Sequence, residues 1–514
     1  MTNISSQNHS LRTTPWLARP LVALGLLLAT GLASQAQTPT FDAITKYSSG
    51  ASGNYFVATG DLNGDGVLDM VTSNLNSTSV SVLLGRAAGG FDTAVPYSMT
   101  YGNNPSQLAM ADLNQDGKLD VVVATESTVI VMLGTGTGTL GVSRYYSSMA
   151  YKGYGMKLYD VTRDGILDAV VTGMGGRVAV LPGTAAGTFG FARDYLVGSS
   201  PRGVSVGDFN HDGRADMVVS DANQPNVYVL LGKASSGFAD PVTYPIGRAT
   251  YFVETADLNR DGQLDILVSG IQNASLGVLN GNADGTFGPL VAYPVIPTVA
   301  PGTYPPPPVN YLTGIAVGDV NGDGYPDVVV NDANNSKIYV LPGSSTGTLG
   351  AAVPFAGGNS SSALGGNFPF DVKLADLNRD GKLDIVVANG QYYENTLGTL
   401  LNTTVYSNAP TLTTLSPTSG PVGTSVTFTG TNLTGATSVT FNGTAATTFT
   451  VVDATTLTAT VPAGATTGPV TVTTPTGPSF TVTYPDLVID NSTTSVAGVS
   501  ITASPYATTA KFTC

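Results

Sequence analysis

A ladder of oxygen-bearing side chains recurs along the chain. Its first copy reads Asp61-Leu62-Asn63-Gly64-Asp65-Gly66-Val67-Leu68-Asp69, with side-chain oxygens at positions 1, 3, 5 and 9. Hard oxygen donors at alternate positions suit calcium, which accepts roughly six to eight of them in a flexible shell. The glycine at position 6 permits the sharp turn that wraps a loop round an ion. Further copies are Asp112/Asn114/Asp116/Asp120, Asp208/Asn210/Asp212/Asp216, Asp257/Asn259/Asp261/Asp265, Asp319/Asn321/Asp323/Asp327 and Asp376/Asn378/Asp380/Asp384. The third in order is Asp160/Thr162/Asp164/Asp168, where a hydroxyl replaces an amide carbonyl, so this site is expected to be the weakest. No copy puts His or Cys at a ligand position, which disfavours zinc and copper. Magnesium demands a stricter octahedron and keeps more water, so Ca2+, up to seven ions, is the expected cofactor.

The EF-hand loop opens in the same way but closes with a glutamate at position 12. Here that position holds Thr72 or Val123, and closure falls to Asp69 and Asp120. Val121-Val122-Val123 follows directly, so the loop runs into a buried strand and not a helix. Three aspartates per copy account for 21 of the 35 acidic residues, and the formal charge of −14 is largely a property of these loops. Without metal, carboxylates crowded into one turn repel one another. The simplest role for each site is as a staple for the fold.

The elements that hold the loops follow from their spacing. Copies open at residues 61, 112, 160, 208, 257, 319 and 376, a period near 50 that marks a propeller or array. Each repeat has an apolar segment before the loop (Tyr55 to Ala58) and another after it (Leu68 to Val71). A third ends in a Leu-Gly or Pro-Gly turn (Val80 to Gly85), and a fourth ends near an aromatic residue (Phe91 to Tyr97). Short strands, glycine turns and almost no helical periodicity predict four-stranded antiparallel units. The expected fold is therefore all-β: a seven-bladed β-propeller followed by an immunoglobulin-like β-sandwich. The seventh repeat lacks a fourth strand, whereas a lone fourth-strand segment, Phe41 to Tyr47, precedes the first. The N-terminal strand is expected to complete the last blade and hide its edge.

Residues 1–36 read as a secretory signal peptide: Arg12 and Arg19, the apolar run Leu21 to Ala33, then Ser34-Gln35-Ala36. The propeller occupies 37–405. From 410 to 484 the sequence turns to Thr-rich alternating strands, and 485–514 is an unassigned tail consistent with truncation inside a further domain. The sole cysteine is Cys514, so no internal disulfide is available and calcium takes the stapling role. Nothing after the signal reads as a transmembrane segment, and there are no basic clusters to suit nucleic acid. A secreted or cell-surface location follows.

The loops and their flanking strands resemble the FG-GAP/VCBS repeats of integrin-α-type propellers. Gly60 to Asp69 and Gly318 to Asp327 carry the resemblance most fully, which spans about residues 41 to 405. It implies calcium in the loops and a role in adhesion or other extracellular binding. Thr162 departs from the pattern. Residues 410–484 resemble an IPT/TIG domain through Ser416-Pro417, Gly420-Pro421-Val422-Gly423, Gly430-Thr431-Asn432-Leu433, Phe441-Asn442-Gly443 and Val461-Pro462-Ala463-Gly464. In that family the domain is a spacer or interaction module.

Strand parity places a ligand. If the acidic loops sit at one face, blade-to-blade and second-to-third connections emerge at the other. Extra residues there include Tyr304, Tyr311, Tyr392 and Tyr393. Exposed aromatics on such loops are typical anchors for a protein or polysaccharide partner, although tolerated insertion explains them equally. Beyond the signal only His211 could serve as a histidine, and it sits at variable position 4 of a loop. Ser/His/Asp and Cys/His machinery is therefore absent, and no catalytic residue is assigned. The expected function is extracellular binding or adhesion. The alternative is a polysaccharide-active enzyme, a lyase or hydrolase, on the same scaffold.

Overall fold

A computed structural model of the chain describes residues 38–99, 104–148, 151–234, 237–270, 275–296, 312–358, 369–391, 394–404, 410–474 and 482–489. The expected signal peptide, Tyr304, Tyr311, Tyr392, Tyr393 and the tail beyond 489 lie outside these residues. Every regular element described is a β-strand, and no helix among the described residues is long and apolar enough to cross a membrane.

Seven four-stranded antiparallel sheets carry the seven acidic loops, each loop between the first and second strands of its sheet. In the first sheet the strands are Asn54–Gly60, Asp69–Asn74, Ser79–Leu83 and Val95–Ser98. The second strands are apolar on both faces, as in Asp120–Ala124, where every residue is buried. Continuous apolar runs of this kind are what a strand covered from both sides requires. The fourth strands, such as Val95–Ser98, are largely exposed and form the outer edge.

Apolar seams join each sheet to the next. Val71, Val80 and Val82 pack with Val121, Val123 and Ile130, and equivalent seams link the sheets in succession. A last seam joins Ala375, Val386 and Leu397 of the seventh sheet to Val57, Met70 and Leu83 of the first. Edge-to-face aromatic pairs reinforce the junctions: Tyr146 with Phe189, Tyr195 with Phe238, and Tyr47 with Phe91 at 5.1 Å. The seventh sheet takes its outer strand from the N-terminal side. Thr45–Ser48 pairs with Glu394–Leu400 in register Thr45 to Thr399 and Ser48 to Thr396, as the sequence pattern led us to expect.

Residues 410–474 and 482–489 form two further sheets. One orders Thr411–Ser416, Ser425–Thr431, Thr456–Thr460 and Phe449–Val451; the other orders Ser419–Gly420, Val482–Ile489, Gly468–Thr473, Ser438–Phe441 and Thr444–Ala445. Val426, Phe428 and Leu457 of the first meet Val439, Phe441 and Val470 of the second in one core. The strand Val482–Ile489 runs past residue 484, where the sequence pattern had suggested a boundary.

Candidate functional site

The acidic loops share one hydrogen-bond scheme. In the first, Asp61 accepts from the N–H groups of Gly64 (2.7 Å), Asp65 (3.1 Å) and Gly66 (2.7 Å). Asn63 accepts from Asp65 N at 3.0 Å and donates through Nδ2 to Asp65 Oδ2 at 3.0 Å. Asp65 in turn accepts from Val67 N at 2.7 Å. Positions 1, 3 and 5 therefore lie on one turn, with their oxygens drawn inward by backbone N–H groups.

The other copies place their residues in the same way. Asp112, Asp160, Asp208, Asp257 and Asp376 each accept from the N–H groups of positions 5 and 6, and Asp319 accepts from those of Gly322 and Gly324. Asn114, Asn210, Asn259 and Asn321 donate through Nδ2 to Asp116, Asp212, Asp261 and Asp323 at 3.3, 3.1, 2.9 and 3.1 Å. Asn378 Oδ1 accepts from Asp380 N at 3.0 Å. Thr162 cannot reproduce the amide bridge, and its N–H turns to Asp168 at 2.8 Å, while Asp164 Oδ1 accepts from Ile166 N at 3.0 Å.

The sequence pattern names positions 3 and 5 as oxygen ligands for an ion, together with positions 1 and 9. In the structure the amides of Asn63, Asn114, Asn210, Asn259 and Asn321 bridge to the following aspartate, and Asp116, Asp212 and Asp380 also face Lys118, Arg214 and Lys382 of their own loops at 3.7, 2.6 and 3.8 Å. The cause is the donor content of the turn: a carboxamide both donates and accepts, and crowded carboxylates draw in whatever donors lie near. An ion at these positions competes with those bonds.

Position 9 lies beneath the turn. Asp69 is fully buried, accepting from Leu62 N (2.8 Å) and from Gly85 N (2.7 Å) at the end of the third strand. Asp120, Asp168, Asp216, Asp265 and Asp327 repeat the pattern, and Asp384 does so with Asn402 N in place of the glycine N–H. The glycine at the third-strand end is required by closeness: a Cβ on Gly134 would lie 2.0 Å from the Leu119 carbonyl oxygen. Burial pushes the position-9 carboxyls above the ordinary aspartate range, and the two N–H donors offset this only in part. Neighbouring loop carboxylates raise them further. Asp384 reaches about 6 and Asp327, in the most enclosed loop, about 8.

Among the described residues no three acidic, histidine or cysteine side chains converge closely enough to cage an ion. The donor chemistry nevertheless fits a hard dication. All donors are oxygen, and the buried position-9 carboxylates have no basic partner in an ion pair among the described residues.

At the opposite end of the first strands a cavity of about 560 Å³ opens. It is lined by Tyr55, Tyr154, Arg202, Tyr251 and Phe370, each six residues before its loop's first aspartate, together with Asn76 and Glu126 from second-to-third connections. Register shifts mark β-bulges here, for instance between Asn54 and Val57 and between Pro201 and Val204. Bulges re-aim side chains, and here they bring distant repeats together. Phe370 lies 4.4 Å from Tyr55, 5.5 Å from Phe56 and 5.2 Å from Phe252, ring to ring. The Arg202 guanidinium stacks 3.3 Å from the Tyr154 ring and 4.8 Å from that of Tyr251.

Sequence reasoning named none of these residues. The signal was present: aligning the repeats on their first aspartate puts Tyr55, Tyr154, Arg202, Tyr251 and Phe370 in one column. Three residues further on, Lys157, Ser205 and Glu254 share another column and meet, with Lys157 Nζ 2.8 Å from Glu254 Oε2 and Ser205 Oγ 3.1 Å from Glu254 Oε1. Burial acts to raise the Glu254 carboxyl, but Lys157 and then Lys373 outweigh it and hold it below its usual value.

Serial four-stranded sheets, each opened by the same acidic turn and packed on the next through an apolar seam, define a β-propeller-like repeat protein. The chain belongs to the FG-GAP-like repeat family, which matches residues 61–123, 112–171, 160–219, 208–268 and 319–387. Residues 410–489 match the IPT/TIG domain. No curated protein matches the chain. Similar solved structures include a chain from BBS1N in complex with ARL6DN, soaked with mercury, at 11% identity and a TM-score of 0.48, covering 71% of this chain and 97% of that one. Another is an Agrocybe aegerita lectin that recognises non-reducing terminal N-acetylglucosamine, at 18% identity and a TM-score of 0.44, covering 62% and 90%.

Proposed function

We propose that the chain is a secreted, calcium-stabilised binding protein. Its seven acidic-loop sheets form a seven-bladed propeller, and residues 410–489 form an immunoglobulin-like sandwich that serves as a spacer or second contact module. Calcium occupies the aspartate loops and acts structurally. The ligand, an extracellular protein or glycan, is engaged at the far end of the strands, so that the stapling and recognition faces are separate. No catalytic residue is assigned.

The observation that carries this reading is the aromatic-lined cavity at the starts of the first strands, an extended first strand away from the acidic loops. Concave sites with aromatic walls and a few convergent polar groups are the usual form of ligand pockets.

A glycan and surface-protein binding array, run with the calcium-loaded mature chain, tests the reading. It is supported if a ligand is retained by the wild type and weakened by Tyr392→Ala/Tyr393→Ala at an unchanged melting temperature. It is rejected if no ligand is retained, or if acidic polysaccharides are cleaved to unsaturated products.

A further inference from the structure

We infer that the cavity is a pocket for an acidic sugar, in which Arg202 takes the carboxylate of a uronic acid ring. This rests on the proposed ligand-binding role of the strand-start face and narrows the ligand to one chemical class.

Size is the first argument. A cavity of about 560 Å³ lies within the range of small-molecule pockets, roughly 300–1,000 Å³, and admits one or two pyranose rings. A folded partner would need a broad surface burying on the order of 800 Å² on each side.

The walls are the second. Tyr55, Phe252 and Phe370 supply apolar ring faces, which match the C–H faces of a pyranose. Asn76, Asn104 and Gln107 bring carboxamides, each able to donate and accept as sugar hydroxyls require. Two of them are held in place: Gln107 Oε1 accepts from Met156 N at 2.8 Å, and Asn104 Nδ2 donates to Glu126 Oε1 at 2.7 Å.

Arg202 is the third: among the described residues it is the one cation lining the cavity, against one carboxylate, Glu126, whose Oε1 already accepts from Asn104 Nδ2 at 2.7 Å. Its guanidinium is stacked on Tyr154 and faces Tyr251, so its plane is fixed before any ligand arrives. Its Nε is buried without a hydrogen-bond partner, and it forms no ion pair among the described residues. A buried donor left unmade is costly, and a planar carboxylate meets the guanidinium fork with two parallel hydrogen bonds. The acidic loops do not cancel this charge. They lie about 20 Å away, the length of the first strand, beyond a Debye length of about 8 Å at physiological salt.

The test is calorimetric titration of the calcium-loaded mature chain with digalacturonate, diglucuronate, cellobiose, acetate and the dipeptide Ala-Ala. We expect a uronate disaccharide to bind at least about tenfold more tightly than cellobiose, and neither acetate nor the dipeptide to compete. Arg202→Met should remove that preference, and Arg202→Lys should retain only part of it because it keeps the charge without the fork. Equal binding of acidic and neutral disaccharides, a dipeptide that binds where uronates do not, or an unchanged preference in Arg202→Met overturns the inference. The comparison of ligands on the unaltered protein decides the matter even if Arg202→Met fails to fold. Failure of both uronates while the array still returns a ligand removes this inference alone; failure of everything removes the reading beneath it as well.

Discussion

Arg379, at position 4 of the seventh acidic loop, reaches through Nη2 to the carbonyl oxygen of Asp65 in the first loop, 3.4 Å away and 314 residues distant in the chain. The same step recurs between neighbours: Gln115 Nε2 donates to the Gly165 carbonyl at 3.0 Å, and Arg260 lies 5.4 Å from the Tyr325 ring. Position 4 is left-handed in every loop, yet Gln115, Arg163, His211, Arg260 and Arg379 occupy it at φ of 58, 63, 56, 58 and 61°. For an L-residue that conformation costs roughly 1–2 kcal/mol. Arg379→Gly should therefore melt at or above the wild-type temperature, and Arg379→Ala below it, the two differing by about 1 kcal/mol in urea unfolding. Identical midpoints for the two variants would show that the backbone there is not strained.

Calcium removal should lower stability across all loops. Extracellular-type sites with dissociation constants of roughly 10⁻⁴–10⁻³ M each add about 0.4–1.4 kcal/mol at millimolar calcium. Dialysis against chelator should lower the melting temperature, and calcium should restore it better than magnesium. Unchanged melting and unchanged bound-metal content after chelation would falsify the calcium assignment. Asp160→Ala should cost least among equivalent substitutions, because Thr162 makes its loop the poorest ligand set.

The calcium-free protein should become less stable as pH rises from 4 to 8. Burial raises Asp384 to about 6 and Asp327 to about 8, so the folded state keeps protons that the unfolded chain, titrating near 3.8, has released. Stability from this source is whole below about pH 4 and disappears as pH climbs through 6 and then 8. Calcium binds the ionised carboxylates, so loading the protein should abolish or reverse the slope. Urea midpoints across this range measure it, and Asp327→Asn should flatten the slope above pH 6. A slope insensitive to that substitution would place the titration elsewhere.

Lys157→Met should cost about 1–2 kcal/mol at pH 7. The ion pair with Glu254 is partly exposed, at 31% and 27%, so the full penalty of an orphaned buried charge is not expected. Glu254 is held below its usual 4.5, so its contribution is present above that pH and fades as pH falls through the lower folded value. The gap between variant and wild type should thus narrow as pH falls below the ordinary glutamate range. A gap as wide in acid as at neutrality would mean that packing, not charge, is what the substitution removes.

The aspartate ladder, its period and the borrowed closing strand were legible because each is written in contiguous residues. The pocket was not, because Tyr154, Arg202 and Tyr251 are about 50 residues apart and meet only when successive sheets pack. Asp69 looked like a shell-closing ligand; the structure adds a second duty, tying the loop to the end of the third strand through Gly85 N–H, as Asn402 N–H does for Asp384. The pairing of Asn114 with Asp116, or of Asn259 with Asp261, was hidden because residue types two apart do not reveal which way an amide turns. Left-handed position 4 had a faint signal in Gly64 and Gly322. The remaining copies concealed it by trading backbone comfort for side chains that span to the next turn.

The two ends of the repeat array are knotted at a single spot. Thr40 N donates to Thr404 Oγ1 at 2.9 Å, Asp42 N to the Leu401 carbonyl at 2.8 Å, and Thr403 N to the Thr40 carbonyl at 2.9 Å. The chain leaves for its C-terminal module immediately afterwards. Tension applied through that module would pull along Glu394–Leu400, a strand flanked by neighbours on both sides, so its rungs would be strained in parallel and not unzipped one at a time. A tether anchored in this way resists force best at the point where the load enters.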